Sequence, residues 1–189
     1  IFAFFIKPVF NAVKARQIGI TWLGGGLALW TMLYTPGSQV LIVSINEAEA
    51  IKVVNRIWDM LQSLPKHLWN GGVVIKPIKA RPTAEIYVQF PDGRVSVLRG
   101  LTSTPSAGHG STAALVLLDE FSRQPYAAET WKAVLPTTQG GGRVVVISTG
   151  NGISNERGGG NYYHHLWVNA DEYGLKRRFL PWDLHPGRD

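Results

Sequence analysis

A run of six apolar residues, Ala113 to Leu118, leads directly into two acidic residues, Asp119 and Glu120. An unbroken apolar run of this length is typical of a strand that is buried on both faces of a parallel sheet. In open α/β sheets, ligands bind in the crevice at the carboxyl ends of the strands. The run therefore predicts an α/β fold in which the acidic pair emerges at the ligand-binding edge, where it could hold a metal ion and a water molecule. Taken alone, the run is better explained by a core strand that is followed by a solvated turn.

The composition limits the classes of protein that fit. The chain has 189 residues, 45% hydrophobic and 17% charged, which suits one domain with a sizeable core. Its net charge of +6 favours a polyanionic partner, with nucleotide, DNA and RNA all open. The chain has no cysteine, which excludes disulfides and thiolate metal sites and agrees with an intracellular protein. No segment suits a membrane span, so we expect no membrane partner, and the start at Ile1 suggests part of a longer protein.

A candidate phosphate-binding loop, KARQIGIT, follows a predicted strand at Val9–Val13. A loop of the form GxxxxGK[ST] needs glycine for close backbone approach, lysine for the outer phosphates and a hydroxyl for Mg²⁺. Gly19 and Thr21 fit this form, whereas Ile20 stands where the lysine should be and Lys14 occupies the position of the first glycine. A long lysine side chain could still reach the phosphates from there. A strand-to-helix turn with surface cations is an equally good interpretation of the pattern alone.

The spacing of apolar residues predicts the other elements of an alternating α/β chain. Helices are predicted over Thr21–Leu33, from a capping box at Asn46 and Glu49 to Pro65, over Tyr126–Leu135 and over Tyr162–Trp167. Strands are predicted over Ile1–Ile6, Gln39–Ile45, Val144–Ile147 and Lys176–Pro181, with a hairpin over Glu85–Leu98. A long polar loop is predicted over Leu101–Thr112 and a disordered one over Gly158–Gly160. Close packing against the sheet would explain Gly24, Gly25 and Gly26 inside the first helix.

Four short segments occur in a fixed order: KARQIGIT at 14–21, LVLLDE at 115–120, ISTGNG at 147–152 and FLPW at 179–182. This ordered set resembles the ATPase domain of the phage terminase large subunit, the motor that packages double-stranded DNA into proheads. The resemblance implies an ASCE-type, RecA-like P-loop NTPase fold, with a mainly parallel sheet flanked by helices, over one domain, 1–189. It also implies a C-terminal nuclease domain in the full-length protein, which nothing in this chain resembles.

The resemblance implies an ATPase that uses ATP and Mg²⁺. The nucleotide-binding residues would be Lys14, Ala15, Arg16, Gln17, Ile18, Gly19, Ile20 and Thr21. Thr21 and Asp119 would hold the metal, and Glu120 would orient the attacking water, with Arg16 as the second catalytic residue. The coupling segment, which would sense the γ-phosphate and pass hydrolysis to DNA movement, would be Ser148, Thr149, Gly150 and Asn151. Ser44, at the end of another predicted strand, could line the same crevice or be a structural hydroxyl.

One departure from the family's pattern concerns the loop before the central strand. This loop often carries an arginine that reaches into a neighbouring subunit, whereas His109 stands at that place here. A neutral imidazole is a poor substitute for a guanidinium. Arg16 could therefore act within its own subunit, Arg99 or Arg123 could serve instead, or hydrolysis could be slow.

The resemblance also implies partners and a location. They are double-stranded DNA, the portal protein, the small terminase subunit and further copies in a ring, pentameric on the prohead, in the cytoplasm of the host cell. Candidates for DNA backbone contact are Lys76, Lys79, Arg81, Arg177, Arg178 and Arg188. Two alternatives stay open: a helicase-like DNA translocase of the ASCE class, and a catalytically decayed domain that binds DNA or a partner. Ile20 and His109 motivate the second.

Overall fold

The computed structural model describes residues 9–65, 74–75, 84–153 and 161–184, which form an eight-stranded sheet with helices on both faces. The strands are β1 (Val9–Lys14), β2 (Gln39–Ser44), β3 (Val74–Ile75), β4 (Glu85–Gln89), β5 (Val95–Thr102), β6 (Leu115–Asp119), β7 (Arg143–Ser148) and β8 (Lys176–Leu180). The helices are α1 (Ile20–Tyr34), α2 (Glu47–Ser63), α3 (Ala127–Val134) and α4 (Tyr162–Val168). This is the α/β architecture expected from the sequence.

The sheet order is β3-β4-β5-β2-β6-β7-β1-β8. All neighbouring pairs from β5 to β8 are parallel, and the pairs that β4 makes with β3 and β5 are antiparallel. The mainly parallel sheet of the prediction is therefore confirmed. Since β7 lies between β1 and β6, the first strand and the strand with the acidic pair are not neighbours, and the end of β7 lies between their ends.

Two hydrophobic cores lie on opposite faces of the sheet. Leu117 belongs to the core shared with α1 and α2, whereas its neighbours Val116 and Leu118 belong to the core shared with α3 and α4. Successive side chains of a strand point to opposite faces, so a strand covered on both sides must be apolar at every position. Burial of β6 on both faces is thus the physical reason for the unbroken apolar run in the sequence.

The three glycines of α1 have three different surroundings. A Cβ on Gly24 would lie 2.9 Å from Ile147 Cδ1, so the expected close packing against the sheet is found there. A Cβ on Gly25 would instead lie 3.1 Å from Ile57 Cγ1 of α2, and one on Gly26 would have no atom within 4 Å among the described residues. The expectation of sheet packing is therefore wrong for Gly25 and Gly26.

Most element boundaries lie close to the predicted ones. Asn46 caps α2 by accepting a hydrogen bond of 2.9 Å from the Glu49 amide, as expected from the capping box. The main difference is β5, which continues to Thr102 because it pairs with β2 over its whole second half. The predictions for Ile1–Ile6 and Gly158–Gly160 lie outside the described residues. Among the helices that the structure describes, none combines the length and apolar character needed to cross a bilayer.

Candidate active site

The loop between β1 and α1 leads into the N-terminus of a helix at the edge of the sheet. Gln17 and Gly19 have φ angles of 62° and 81°, so the chain turns through left-handed conformations before the helix begins. Gly19 caps α1 without a side-chain hydrogen bond, and the first turn of the helix has no acidic residue. The unpaired N–H groups of a helix N-terminus attract anions. A Cβ on Gly19 would meet no described atom within 4 Å, so the backbone is open on that side.

Lys14, the last residue of β1, extends across the end of β7 to the acidic pair. Its Nζ donates a hydrogen bond of 2.7 Å to Glu120 Oε1, and the lysine is only 8% exposed. Ile20, at the position where the loop pattern has its lysine, is partly buried and packs against the core. A lysine at the end of the strand thus reaches the acidic pair, and the first residue of the helix carries no charge.

Asp119 ends β6 beside the first turn of α1. The Thr21 hydroxyl donates a hydrogen bond of 3.2 Å to Asp119 Oδ1. Burial, and after it the charge of Glu120, raises the pKa of Asp119 to about 6, although Lys14 and Thr21 partly oppose the rise. A buried carboxylate whose charged form is disfavoured gains from a cation placed next to it.

Glu120 is held by two groups on opposite sides of its carboxylate. One oxygen, Oε1, accepts from Lys14, while Oε2 accepts from the Thr149 hydroxyl at 3.1 Å and from the Thr149 amide at 3.4 Å. Burial alone would raise the pKa of Glu120, but the bonds from Lys14 and Thr149 outweigh it, so the net pKa lies below the usual value. The carboxylate is therefore charged at neutral pH and fixed in direction.

The oxygen atoms beside α1 suit Mg²⁺. Thr21 and Asp119 supply a hydroxyl and a carboxylate within 3.2 Å of each other. The register that pairs β2 with β6 continues to place Ser44 beside Asp119, and the buried Ser44 hydroxyl has no hydrogen-bond partner among the described residues. No group of three or more acidic, histidine or cysteine side chains in the described ranges could bind a metal alone. Mg²⁺ typically takes one or two carboxylates, water and substrate phosphates, so these residues fit it.

Lys14, Glu120 and Thr149 face a cavity of about 350 Å³. It is lined by Lys14, Arg16, Gln17, Glu120, Arg123 and Thr149. The structure thus brings the loop, the acidic pair and the coupling segment to one edge of the sheet. It adds Arg123, which the sequence had offered only as one of several alternatives for the arginine.

A protein-family model described as the N-terminal part of the terminase large subunit, T4likevirus-type, matches residues 11–169. This chain belongs to that family. The resemblance seen in the four ordered segments is therefore confirmed. The P-loop fold that it implied for this chain, which is the fold of terminase ATPase domains, is confirmed as well.

Solved structures of phage packaging proteins are similar to this terminase domain. The ATPase domain of the Thermus phage P74-26 large terminase matches with a TM-score of 0.74 at 20% identity, over 96% of this chain and 79% of that one. The large terminase of a thermophilic bacteriophage, solved with ATP-gamma-S, matches with a TM-score of 0.69 at 14% identity, over 97% of this chain and 42% of that one. The N-terminal domain of the phi29 DNA packaging ATPase gives 0.59 at 14%, over 97% and 94%. At these identities the likeness concerns the fold.

The coupling segment of the terminase domain is only partly buried. Ser148 and Thr149 are buried; Ser148 Oγ donates to Ser122 Oγ, and the Thr149 hydroxyl donates to Glu120 at the cavity. Gly150 and Asn151 are exposed, and Asn151 donates to the carbonyl of Ser122 at 3.3 Å. The segment therefore has one half inside the site and one half at its surface.

The other three candidates for the arginine's role, His109, Arg99 and Arg16, occupy different places in the structure. His109 is exposed in the loop before β6 and does not line the cavity. Arg99 pairs with Glu85 at 2.9 Å between β4 and β5, so it is engaged elsewhere on the sheet. Arg16 is exposed at the cavity. Within one subunit, Arg16 and Arg123 are thus the candidates at the site, and Arg99 is not.

The candidates for DNA contact are only partly described. Arg177 and Arg178 lie on β8, the edge strand of the sheet, where Arg177 pairs with Asp171 at 3.3 Å. Lys76, Lys79, Arg81 and Arg188 lie outside the described residues. The DNA-contact prediction stays a prediction.

Two residues of the site were missed by the sequence analysis. Ser122 and Asn161 bond to the coupling segment, at 2.8 Å from Ser122 Oγ to the Thr149 carbonyl and at 3.2 Å from Asn161 Nδ2 to the Asn151 carbonyl. The available signal was weak: Ser122 follows the acidic pair by two residues, and Asn161 precedes a predicted helix as a cap residue would. Asparagine and serine at such positions are common, so neither indicates a site by itself.

Proposed function

We propose that this domain binds ATP with Mg²⁺ at residues 14–21 and hydrolyses it to drive double-stranded DNA into a prohead. The observation that carries the proposal is the meeting of Lys14 and Glu120, 2.7 Å apart, beside the Thr21–Asp119 pair. A cation, a metal-binding pair and a charged carboxylate at one strand edge are the parts that phosphoryl transfer needs. The match to a terminase solved with ATP-gamma-S supports the choice of nucleotide.

The reaction follows from these positions. A water oxygen attacks the γ-phosphorus, the bond to the bridging oxygen breaks, and ADP and phosphate leave. Glu120, charged and fixed by Thr149, orients that water and draws on its proton. The phosphate oxygens compete with Glu120 for the ammonium of Lys14, so nucleotide binding frees the carboxylate for its role. Thr21 and Asp119 would hold Mg²⁺, which when bound neutralises negative charge on the phosphates.

The proposal extends to the assembly in which the domain works. Family membership supports double-stranded DNA as the substrate that is moved, with the portal protein and the small terminase subunit as partners. We propose a homo-oligomeric ring, pentameric on the prohead, in the cytoplasm of the host cell. Thr149 touches Glu120 while Asn151 lies exposed at the surface, so the coupling segment connects the reaction to the outside of the domain.

The test is Mg-ATP binding and steady-state hydrolysis by this chain and by the full-length protein assembled with DNA. Lys14→Ala is expected to abolish binding because the phosphates lose their cation, and Glu120→Gln to keep binding but lower kcat by about a hundredfold or more. Lys52→Ala and Glu49→Gln are matched controls, since these residues form an exposed ion pair on α2. Both controls should behave like the wild type.

Each other outcome has a distinct meaning. If the wild type neither binds nor hydrolyses ATP, even in the full-length protein with DNA, the ATPase assignment fails and the decayed scaffold takes its place. If ATP turnover is accompanied by strand separation, the helicase-like translocase is the better description. If Lys14→Ala binds ATP normally, the strand-end lysine is not the cation of the loop.

A further inference from the structure

Ser122 connects the turn after the acidic pair to the coupling segment through every polar group that it has. Its N–H donates to Ser148 Oγ at 3.0 Å, and its hydroxyl donates to the Thr149 carbonyl at 2.8 Å. Its carbonyl accepts from the side-chain amides of Asn151 at 3.3 Å and Asn161 at 3.5 Å. One serine thus joins the chain after β6 to the chain after β7 at several points.

The Thr149 peptide passes this connection on to Glu120. The carbonyl of Thr149 is bonded to Ser122, while its N–H and hydroxyl donate to Glu120 Oε2. Ser122 therefore acts on the Glu120 carboxylate indirectly, by fixing the orientation of Thr149. Loss of the Ser122 hydroxyl removes one of two hydroxyl groups that donate to the Thr149 carbonyl, the other being Ser148 Oγ at 3.0 Å, and so weakens the hold on Thr149.

The backbone at Glu120 needs this support. Glu120 has a φ of 48°, in the left-handed region, which is unfavourable for a residue that has a side chain. Such a conformation persists only where its surroundings hold it. Phe121, fully buried and in contact with Trp131, holds the turn Phe121–Arg123 from the core side. Ser122 holds the same turn from the side of the coupling segment.

We propose that Ser122 is a positioning residue, which holds the Glu120 turn and the coupling segment in one arrangement and so fixes the direction of the Glu120 carboxylate. The inference rests on the proposed ATPase function for its kinetic consequence, and its geometric part stands without it. Misplacing a catalytic group by about 1 Å can lower a rate about a hundredfold. Removal of the hydroxyl should therefore lower kcat and leave ATP binding intact.

The kinetic experiment compares the wild type with Ser122→Ala, Ser122→Thr and Ser63→Ala. The last is the matched control, because the Ser63 hydroxyl also bonds to a backbone carbonyl but lies exposed at the end of α2. Ser122→Ala should lower kcat about tenfold to a hundredfold with KM changed by less than about twofold. Ser122→Thr, which keeps the hydroxyl, should recover most of kcat, and Ser63→Ala should match the wild type.

A second measurement keeps the inference testable apart from activity. Amide hydrogen exchange at Thr149, measured on the nucleotide-free chain, should be faster in Ser122→Ala than in the wild type and unchanged in Ser63→Ala. If the wild type proves to have no ATPase activity, the proposed function fails, and this comparison still decides the role of Ser122. Wild-type exchange at Thr149 in Ser122→Ala would overturn the inference, and so would a wild-type kcat in an active protein.

Discussion

Replacing Asp119 with asparagine should make the nucleotide-free domain more stable while preventing it from holding Mg-ATP. The carboxyl is buried beside α1, and its pKa is raised from 3.8 to about 6. At pH 8 the folded chain must keep this group charged, which costs about 3 kcal/mol at roughly 1.4 kcal/mol for each pH unit between the two pKa values. Asparagine is neutral at every pH and keeps an oxygen that can accept from Thr21.

The sign of the pH dependence follows from the raised pKa. Between pH 3.8 and about 6 the folded state binds the Asp119 proton more tightly than the unfolded state does. The free energy of unfolding therefore falls as the pH rises through this window, and the loss is complete above about pH 6. Roughly half of this loss of stability occurs between pH 5 and pH 8. The Asp119→Asn variant has no carboxyl at this position and does not show the loss.

Urea unfolding at pH 5 and pH 8, without Mg²⁺, measures this difference. Asp119→Asn should exceed the wild type by roughly 1–3 kcal/mol at pH 8 and by clearly less at pH 5. Asp59→Asn, at an exposed site on α2, is the control and should change stability by less than about 0.5 kcal/mol. Adding Mg-ATP should then raise the stability of the wild type and leave that of Asp119→Asn unchanged. The reasoning is refuted if Asp119→Asn is no more stable than the wild type at pH 8, or if the difference in stability is the same at pH 5 and pH 8.

Two further predictions concern packing and charge. Gly24→Ala should destabilise the domain by about 1–3 kcal/mol, because the new Cβ would lie 2.9 Å from a side chain of the core, whereas Gly26→Ala, with open space around it, should stabilise it by about 0.5–1 kcal/mol. Thermal unfolding compares the two, and equal effects would contradict the packing argument. Arg123→Ala should lower kcat of this chain by about tenfold or more because Arg123 lines the cavity, while Arg99→Ala, which removes contacts with Glu85 and Tyr87 on the sheet, should not. Steady-state ATPase assays compare the two variants. A larger loss of kcat in Arg99→Ala than in Arg123→Ala would indicate that the catalytic arginine lies on β5.

The fold and the edge that carries the site could be predicted because one local pattern contains both. A strand buried on two faces must be apolar throughout, so the place where Leu118 gives way to Asp119 marks the end of the strand and the edge of the sheet. The same holds for β7 and the polar residues after Ile147. Such patterns depend only on neighbours along the chain.

The partners within the site could not be predicted, because they depend on the order of the strands. That Lys14 meets Glu120 follows from β7 lying between β1 and β6, and hydrophobic periodicity does not encode which strands are adjacent. The part played by Ser122 was invisible for the same reason, since its hydrogen-bond partners come from residues far along the chain. Gly26 was misjudged because a glycine pattern does not say which side of a helix faces the sheet.

Under the proposed function, Lys14 takes over the part that a lysine at position 20 would play in the usual phosphate loop. Ile20 is apolar and packs against the core at the first turn of α1. Lys14, at the end of the strand, places its ammonium group at the cavity. A search for a fixed spelling of the phosphate loop would pass over this chain. A structural search would find it, if it looked for a cation within hydrogen-bonding distance of an acidic residue that follows an apolar strand two places away in the sheet. Under the proposed function, the parts of such a loop are divided between a strand and a helix, and the charge still reaches the site.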